Sequence, residues 1–220
     1  MRLLIVNPNT SLGVTRRIAD AAQAVALPGD VFTALPAAFG PDLIVTPEDS
    51  AHAVRGVLHT IEQQGSQHQG IVLASFGDTG ASEVLQHWPD TPVIGIAEAA
   101  FAATRSLDGP FSIVTFAPEV AEPLRDKAIE HGVGDALLDV ATLAHPWTGD
   151  PGQIVDVLFE PLADLCRQCA RDGAAGIVIG GGPLAGLATR IGADCPVPLI
   201  DGTQEAVRQM RIRLCEDSPV

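Results

Sequence analysis

Short runs of consecutive apolar residues alternate along this chain with longer stretches in which apolar positions recur every three or four residues. The runs at about 3–6, 30–35, 70–74, 92–96, 111–115, 136–140, 176–180 and 198–200 are too short for helices and predict buried strands. The periodic stretches between them predict helices at about 11–26, 49–64, 79–87, 98–107, 119–131, 152–171, from 183 onward, and at 203–214. Strand and helix in regular alternation predict parallel sheets joined by right-handed crossovers, because a parallel neighbour is reached only by crossing over the sheet. The fold class is therefore α/β.

One apolar run occurs twice. Gly70-Ile71-Val72-Leu73-Ala74-Ser75-Phe76-Gly77-Asp78-Thr79-Gly80 has a counterpart in Gly176-Ile177-Val178-Ile179-Gly180-Gly181-Gly182-Pro183-Leu184-Ala185-Gly186. The offset is 176 − 70 = 106, and it persists to Pro92-Val93-Ile94 against Pro198-Leu199-Ile200, where 198 − 92 = 106. A repeat of this kind predicts two pseudo-symmetric, flavodoxin-like lobes whose strand ends face one active-site cleft. Ser75 and Gly181 then occupy equivalent places.

The turns after the strands carry the candidate chemistry. Pro8 forces Asn7 out of helical geometry, and Asn9, Thr10 or Ser11 then caps the following helix. Two amides and two hydroxyls crowded into that turn are expected to bind an anion at the carboxyl edge of the sheet. The Pro-rich stretch 36–48 is long enough to form a lid over a site. Gly180-Gly181-Gly182-Pro183 lacks the Gly-Lys-Ser/Thr ending of a phosphate loop, and Pro183 removes one of the donors such a loop needs. Ser75 lacks the first glycine of a G-x-S-x-G elbow, and a serine nucleophile also needs a neighbouring base. His145-Pro146-Trp147 brings an imidazole and an indole together in a loop.

Composition narrows the classes. Hydrophobic residues make up 46% of the chain and aromatics only 4%, so the core must be aliphatic. No apolar run approaches the roughly 18 residues of a membrane span, and the short Met1–Val6 run followed by Asn-Pro does not read as a signal peptide. A cytoplasmic location is expected. With 13 basic against 27 acidic residues the net charge is −14, and no basic cluster exists to displace counterions from a nucleic acid. Cys166-x-x-Cys169 falls within the periodic stretch 152–171 with no second Cys/His pair at matching spacing, so ordinary packing is expected and no metal site.

Asn7-Pro8-Asn9-Thr10-Ser11, Ser75-Phe76-Gly77-Asp78-Thr79-Gly80, Gly95-Ile96-Ala97-Glu98-Ala99 and Ile200-Asp201-Gly202 together resemble the aspartate/glutamate racemase superfamily, in particular its hydantoin and allantoin racemase branch. The resemblance covers nearly the whole chain. It implies two lobes, no cofactor, a small-molecule substrate held between them, a homo-oligomer, and a last helix that packs back on the first lobe. The lobes are then 1–95 plus 207–220 and 96–206. Members of that superfamily use one cysteine per lobe, one thiolate removing the α-proton and the opposite thiol returning a proton. Matching the motifs puts Ser75 and Gly181 at those two positions.

A free thiol has a pKa of about 8.5 and is readily tuned lower. A serine hydroxyl is a far weaker acid, and glycine has no proton to exchange. The expectation is an enzyme diverged from two-thiol racemisation toward hydrolysis, decarboxylation or elimination on a small carboxylate, amide or ureide. Asn7, Asn9, Thr10, Phe76, Thr79 and Thr115 would contact the substrate, Gly181 and Gly182 would leave space or lend N–H groups, and Ser75 would donate a hydrogen bond or act as nucleophile. Two alternatives stand beside it: a racemase using substitute groups such as Asp78 or His145, and a binding protein that kept the cleft and lost catalysis.

Overall fold

The computed structural model describes residues 1–216, so the last four positions of the predicted first lobe, 217–220, lie outside the described residues. The first half runs β1 (Arg2–Asn7), α1 (Leu12–Gln23), β2 (Val31–Pro36), α2 (Pro47–Gln64), β3 (Gly70–Leu73), α3 (Ala81–His87), β4 (Val93–Gly95) and α4 (Ile96–Thr104). The second half runs β5 (Phe111–Thr115), α5 (Ala121–Glu130), β6 (Leu137–Thr142), α6 (Ile154–Val157), α7 (Phe159–Arg171), β7 (Gly176–Ile179), α8 (Leu187–Ile191), β8 (Leu199–Asp201) and α9 (Gly202–Glu216). Two four-stranded sheets result, ordered β2-β1-β3-β4 and β6-β5-β7-β8, and the strand pairs within each are parallel. The α/β architecture with two equivalent sheets is as the alternation predicts.

The central strands are apolar on both faces, as strands covered by helices on each side must be. Leu3–Val6, Ile71–Leu73, Ile113–Val114 and Ile177–Ile179 are all buried. The repeat is visible in the hydrogen bonding. Beyond the end of β3, Ala74 N–H donates to Val6 O at 2.9 Å; beyond β7, Gly180 N–H donates to Val114 O at 2.9 Å. The chain therefore leaves both sheets at the same step, and Ser75 and Gly181 are the next residues in each lobe.

The lobes meet through glycine and through charge. A Cβ on Gly13 would lie 2.6 Å from Gly152 Cα, and one on Gly182 would lie 2.8 Å from Ala74 O. Arg17 of α1 donates to Gly152 O and Asp156, and Arg190 of α8 donates to the same carboxylate. The last helix crosses to the first half of the chain: Gln209 donates to Ala99 O, Arg213 to Val93 O and Glu98, and Arg211 to Val25 O and Asp30.

Two helix predictions need correction. The stretch 152–171 is not one helix, because α6 ends at Val157 and α7 begins at Phe159. Pro161 has no N–H to give to Val157 O, and its ring crowds that carbonyl; a proline is tolerated only in the first turn of a new helix, where it now sits. The helix expected from 183 is a single 3₁₀ turn, Gly182–Leu184, followed by α8, because Gly186 adopts φ +84° between them. No helix among the described residues is long and apolar enough to cross a membrane.

Candidate active site

A pocket of about 240 Å³ opens where the carboxyl ends of the two sheets face one another. Its floor is Ala74–Gly77 from the first lobe and Gly180–Pro183 from the second. Pro8 and Asn9 after β1 and Thr115 and Phe116 after β5 form its sides. Leu43–Pro47 closes it from above, and Val120, Pro123, Leu124 and Lys127 close it from the α5 side. Thr10 ties the covering segment down: its N–H and its hydroxyl both donate to Pro41 O, at 2.9 and 3.2 Å.

The turn after β1 is an ordered amide network. Asn7 is buried, and its Nδ2 donates to Asn9 Oδ1 at 2.7 Å and to Thr15 Oγ1 at 3.0 Å. Ser11 N–H also donates to Asn9 Oδ1, at 3.0 Å. With its oxygen held twice, Asn9 keeps its Nδ2 for the pocket. Ser11, one of the three candidate caps, is the residue that caps α1, accepting from Val14 N–H. Asn7 and Thr10 therefore stand behind the site, and Asn9 lines it.

The turn after β3 spends its hydroxyls on itself. Ser75 Oγ donates to Thr79 Oγ1 at 3.0 Å and accepts from Thr79 N–H at 3.2 Å. Thr79 Oγ1 is in turn 2.9 Å from Ser50 Oγ. Phe76 lines the pocket with its ring set edge-on against Phe101 at 5.6 Å. Among the described residues, the N–H groups of Ser75, Phe76 and Gly77 have no protein acceptor.

The second lobe is barer. Gly181 has φ +131°, a conformation that side chains resist, and Gly182 abuts the first lobe's backbone. Asp201, fully buried, accepts from Gly186 N–H at 2.6 Å and from Thr203 and Gln204 N–H, fixing the far end of this turn to the start of α9. Burial raises the pKa of its carboxyl, and those three N–H groups only partly offset the effect. Thr115 is fully buried with an unpartnered hydroxyl at the pocket wall.

Two of the candidate catalytic residues do not reach the pocket. His145 is exposed in the loop after β6 and is absent from the lining, since its neighbours Leu143 and Trp147 anchor that loop on the second lobe's core instead. Asp78, at φ +54°, faces α5, where His131 Nε2 is 3.1 Å and Lys127 Nζ 3.5 Å away. Lys127 itself lines the pocket and was not anticipated from the sequence. Burial alone would lower its pKa, but the hydrogen bond to Glu130 at 2.7 Å and the charge of Asp78 outweigh that and raise it. Among the described residues it is the one ionisable side chain in the lining.

The cysteines stand apart. Cys166, Cys169 and Cys195 are buried in the second lobe's core and Cys215 is exposed on α9; none lines the pocket. Burial, then the neighbouring Cys195 and Cys169, push the Cys166 thiol up to about 12. No group of three or more His, Cys, Asp or Glu placed to hold a metal ion occurs among the described residues. The free polar groups at the strand ends are thus hydrogen-bond donors, arranged to receive an anion or an oxygen that becomes one.

Comparison with known proteins agrees with this geometry. The Asp/Glu/Hydantoin racemase family model matches residues 3–210. The hydantoin racemase of Paenarthrobacter aurescens is 32% identical over 213 residues, 94% of this chain and 89% of that protein. The structure of allantoin racemase from Klebsiella pneumoniae aligns with a TM-score of 0.89 at 32% identity, over 98% of this chain and 88% of its own. A variant of arylmalonate decarboxylase, 16% identical, shares the fold with a TM-score of 0.72 over 99% of this chain and 94% of its own.

Proposed function

Since the chain belongs to the Asp/Glu/hydantoin racemase family and is an enzyme of that superfamily, we propose that it performs a one-sided reaction on a small carboxylate, amide or ureide. On this reading Ser75 and Gly181 fall, by motif matching, at the two proton-transfer positions of the family, and neither supplies a thiol. The observation that carries the proposal is the lining itself, rich in donors and, among the described residues, without a thiol, carboxylate or imidazole. A reaction that begins by taking a proton from carbon, or by activating serine or water, needs a base that no lining side chain provides.

Decarboxylation fits this inventory best among the one-sided reactions. The bond from the reacting carbon to a carboxylate breaks, CO₂ leaves, and the electron pair moves onto a neighbouring carbonyl oxygen. The N–H groups of Ser75, Phe76 and Gly77, with the amide of Asn9, form the donor set from which that oxygen draws its hydrogen bonds as its charge grows. A proton drawn from water through the Ser50–Thr79–Ser75 hydroxyl chain then returns on the Ser75 face only, because Gly181 has nothing to deliver on the other. The hydroxyls of that chain turn to donate toward the pocket, so that no alkoxide is left behind. Phe76 shapes the first-lobe wall, Thr79 orients Ser75, and Gly181 and Gly182 leave room for the substrate.

A second reading, racemisation of a hydantoin or allantoin by substitute groups, draws its support from the 32% identity to racemases of those names. Both readings are tested with prochiral acids bearing a carbonyl β to the carboxylate and with 5-substituted hydantoins. One-sided chemistry gives one equivalent of CO₂ per acid and a single product enantiomer. Loss of optical activity from the hydantoins without CO₂ release from the acids would replace it with racemisation.

A further inference from the structure

The one cation that the described residues bring to the pocket lining has no role in the reaction as described, and its surroundings indicate what it is for. Lys127 projects from α5 of the second lobe and its side chain is 24% exposed, so it is reachable from the pocket. It holds Glu130, an exposed residue one turn on, at 2.7 Å, and meets Asp78 of the opposite lobe only at 3.5 Å. Asp78 has a second and closer partner in His131, at 3.1 Å. The Lys127–Asp78 pair is therefore long, shared and replaceable. The Thr115 hydroxyl, also in the lining, is fully buried and carries no partner. A buried hydroxyl without a partner is costly, and a ligand oxygen would relieve it.

We propose that Lys127, with Thr115, forms a subsite for a carboxylate that the substrate retains through the reaction, and that this carboxylate takes the place of Asp78 at the ammonium group. The substrate class is then an acid with a second, non-reacting anionic group. This inference rests on the one-sided reading above and adds a specificity residue to it. The carboxylate at Lys127 must be the retained one. An ammonium group paired with the departing carboxylate would stabilise the ground state, where that charge is localised, more than the transition state, where it is being lost, and so would slow the reaction.

The test uses the full chain, with 3-phenylpropionate and its neutral isostere 3-phenylpropionamide as probes and the amide resonances of Ser75–Thr79 and Gly181 as reporters in NMR titrations. The carboxylate is expected to bind at least about tenfold more tightly than the amide, the scale of one charge-assisted hydrogen bond. Lys127→Met should erase that preference by weakening the carboxylate alone, and Lys127→Arg should keep most of it. Asp78→Asn should strengthen carboxylate binding severalfold and leave the amide unchanged, because it removes the competing anion; a purely structural role for Lys127 predicts no such gain.

Equal affinities in the unaltered protein, or a preference that survives in Lys127→Met, would overturn the subsite while leaving the pocket intact. If Lys127→Met does not fold, Asp78→Asn decides, and unchanged carboxylate affinity there overturns the proposal. Failure of both probes to shift the reporter resonances would overturn both this subsite and the pocket as the active site.

Discussion

The turn after β3 and the turn after β7 leave their sheets by the same hydrogen bond, and from the next residue onward they diverge. The first carries Ser75 and Thr79 in a closed hydroxyl chain that reaches Ser50. The second carries Gly181 in a backbone conformation only glycine accepts freely, held at its far end by Asp201. The turns after β1 and β5 repeat the contrast. Asn7 is fully engaged behind Asn9, whereas Thr115 faces the pocket without a partner. A symmetric scaffold thus presents a polar, self-satisfied half and a bare, open half. Symmetric scaffolding suits a reaction that exchanges protons on two faces, and unequal turns suit one that works on a single face.

Thiols introduced at both positions probe that contrast most severely. Gly181→Cys should cost about 1–3 kcal/mol of stability, because a Cβ at φ +131° is strained even though Pro183 Cδ, 3.6 Å away, leaves it space. Ser75→Cys replaces oxygen with sulfur in an allowed conformation and should cost about 1 kcal/mol or less. Denaturant midpoints of the two variants measure the difference. Equal costs would mean that the second turn relaxes readily and that its conformation is no barrier to a side chain.

A second contrast lies in how α9 is held. On the first half of the chain it is anchored by Arg211 to Asp30, whose carboxylate also receives the N-terminal ammonium group. Burial works against ionisation of Asp30, but the Leu27 N–H, Arg211 and the N-terminus outweigh it and lower its pKa from 3.8 to about 2. Because the folded value lies below the unfolded one, this stabilisation is full above pH 4 and fades as the pH falls toward 2. Asp30→Asn should therefore lower stability at neutral pH by about 2 kcal/mol and flatten the acid limb of the stability profile. Unfolding curves between pH 2 and 7 provide the check.

Smaller effects follow at the hydroxyl chain and the cysteines. Ser75→Ala should lower turnover at least tenfold, about 1.4 kcal/mol of transition-state stabilisation. Undiminished turnover would remove Ser75 from the chemistry and erase the functional difference between the turns. Alkylation of the native protein should modify Cys215 and leave activity intact, since the other three thiols are buried and Cys166 is held far above neutral. Peptide mapping after iodoacetamide treatment reads this directly.

Much of this arrangement was legible because it is local or periodic. The 106-residue repeat carries its own register, and the structure reproduces it as the paired bonds Ala74–Val6 and Gly180–Val114. Crowded amides after β1 announced a donor site, although which of them faces the pocket depends on Asn7 spending its amide on Asn9. Lys127 was invisible for a different reason. In sequence it is one cation on an ordinary helix, and its role comes from α5 of one lobe lying beside the Ser75–Gly80 turn of the other. His145 misled because an imidazole beside an indole looks functional in a loop, while the fold anchors that loop away from the strand ends. The break at Leu158 was readable in principle from Pro161, whose missing N–H forbids a helix continuous from 154.

A cleft with one hydroxyl-bearing turn and one bare glycine turn is expected not to exchange protons on both faces of a carbon. The most direct measurement is the incorporation of deuterium at the α-carbon of a 5-substituted hydantoin and of allantoin, followed by proton NMR in heavy water with the unaltered enzyme. Exchange no faster than in buffer is expected, together with shifts of the Ser75–Thr79 amides as the ligand binds. Enzyme-dependent exchange from both enantiomers would contradict it and show that the unequal turns still work as a two-sided acid–base pair.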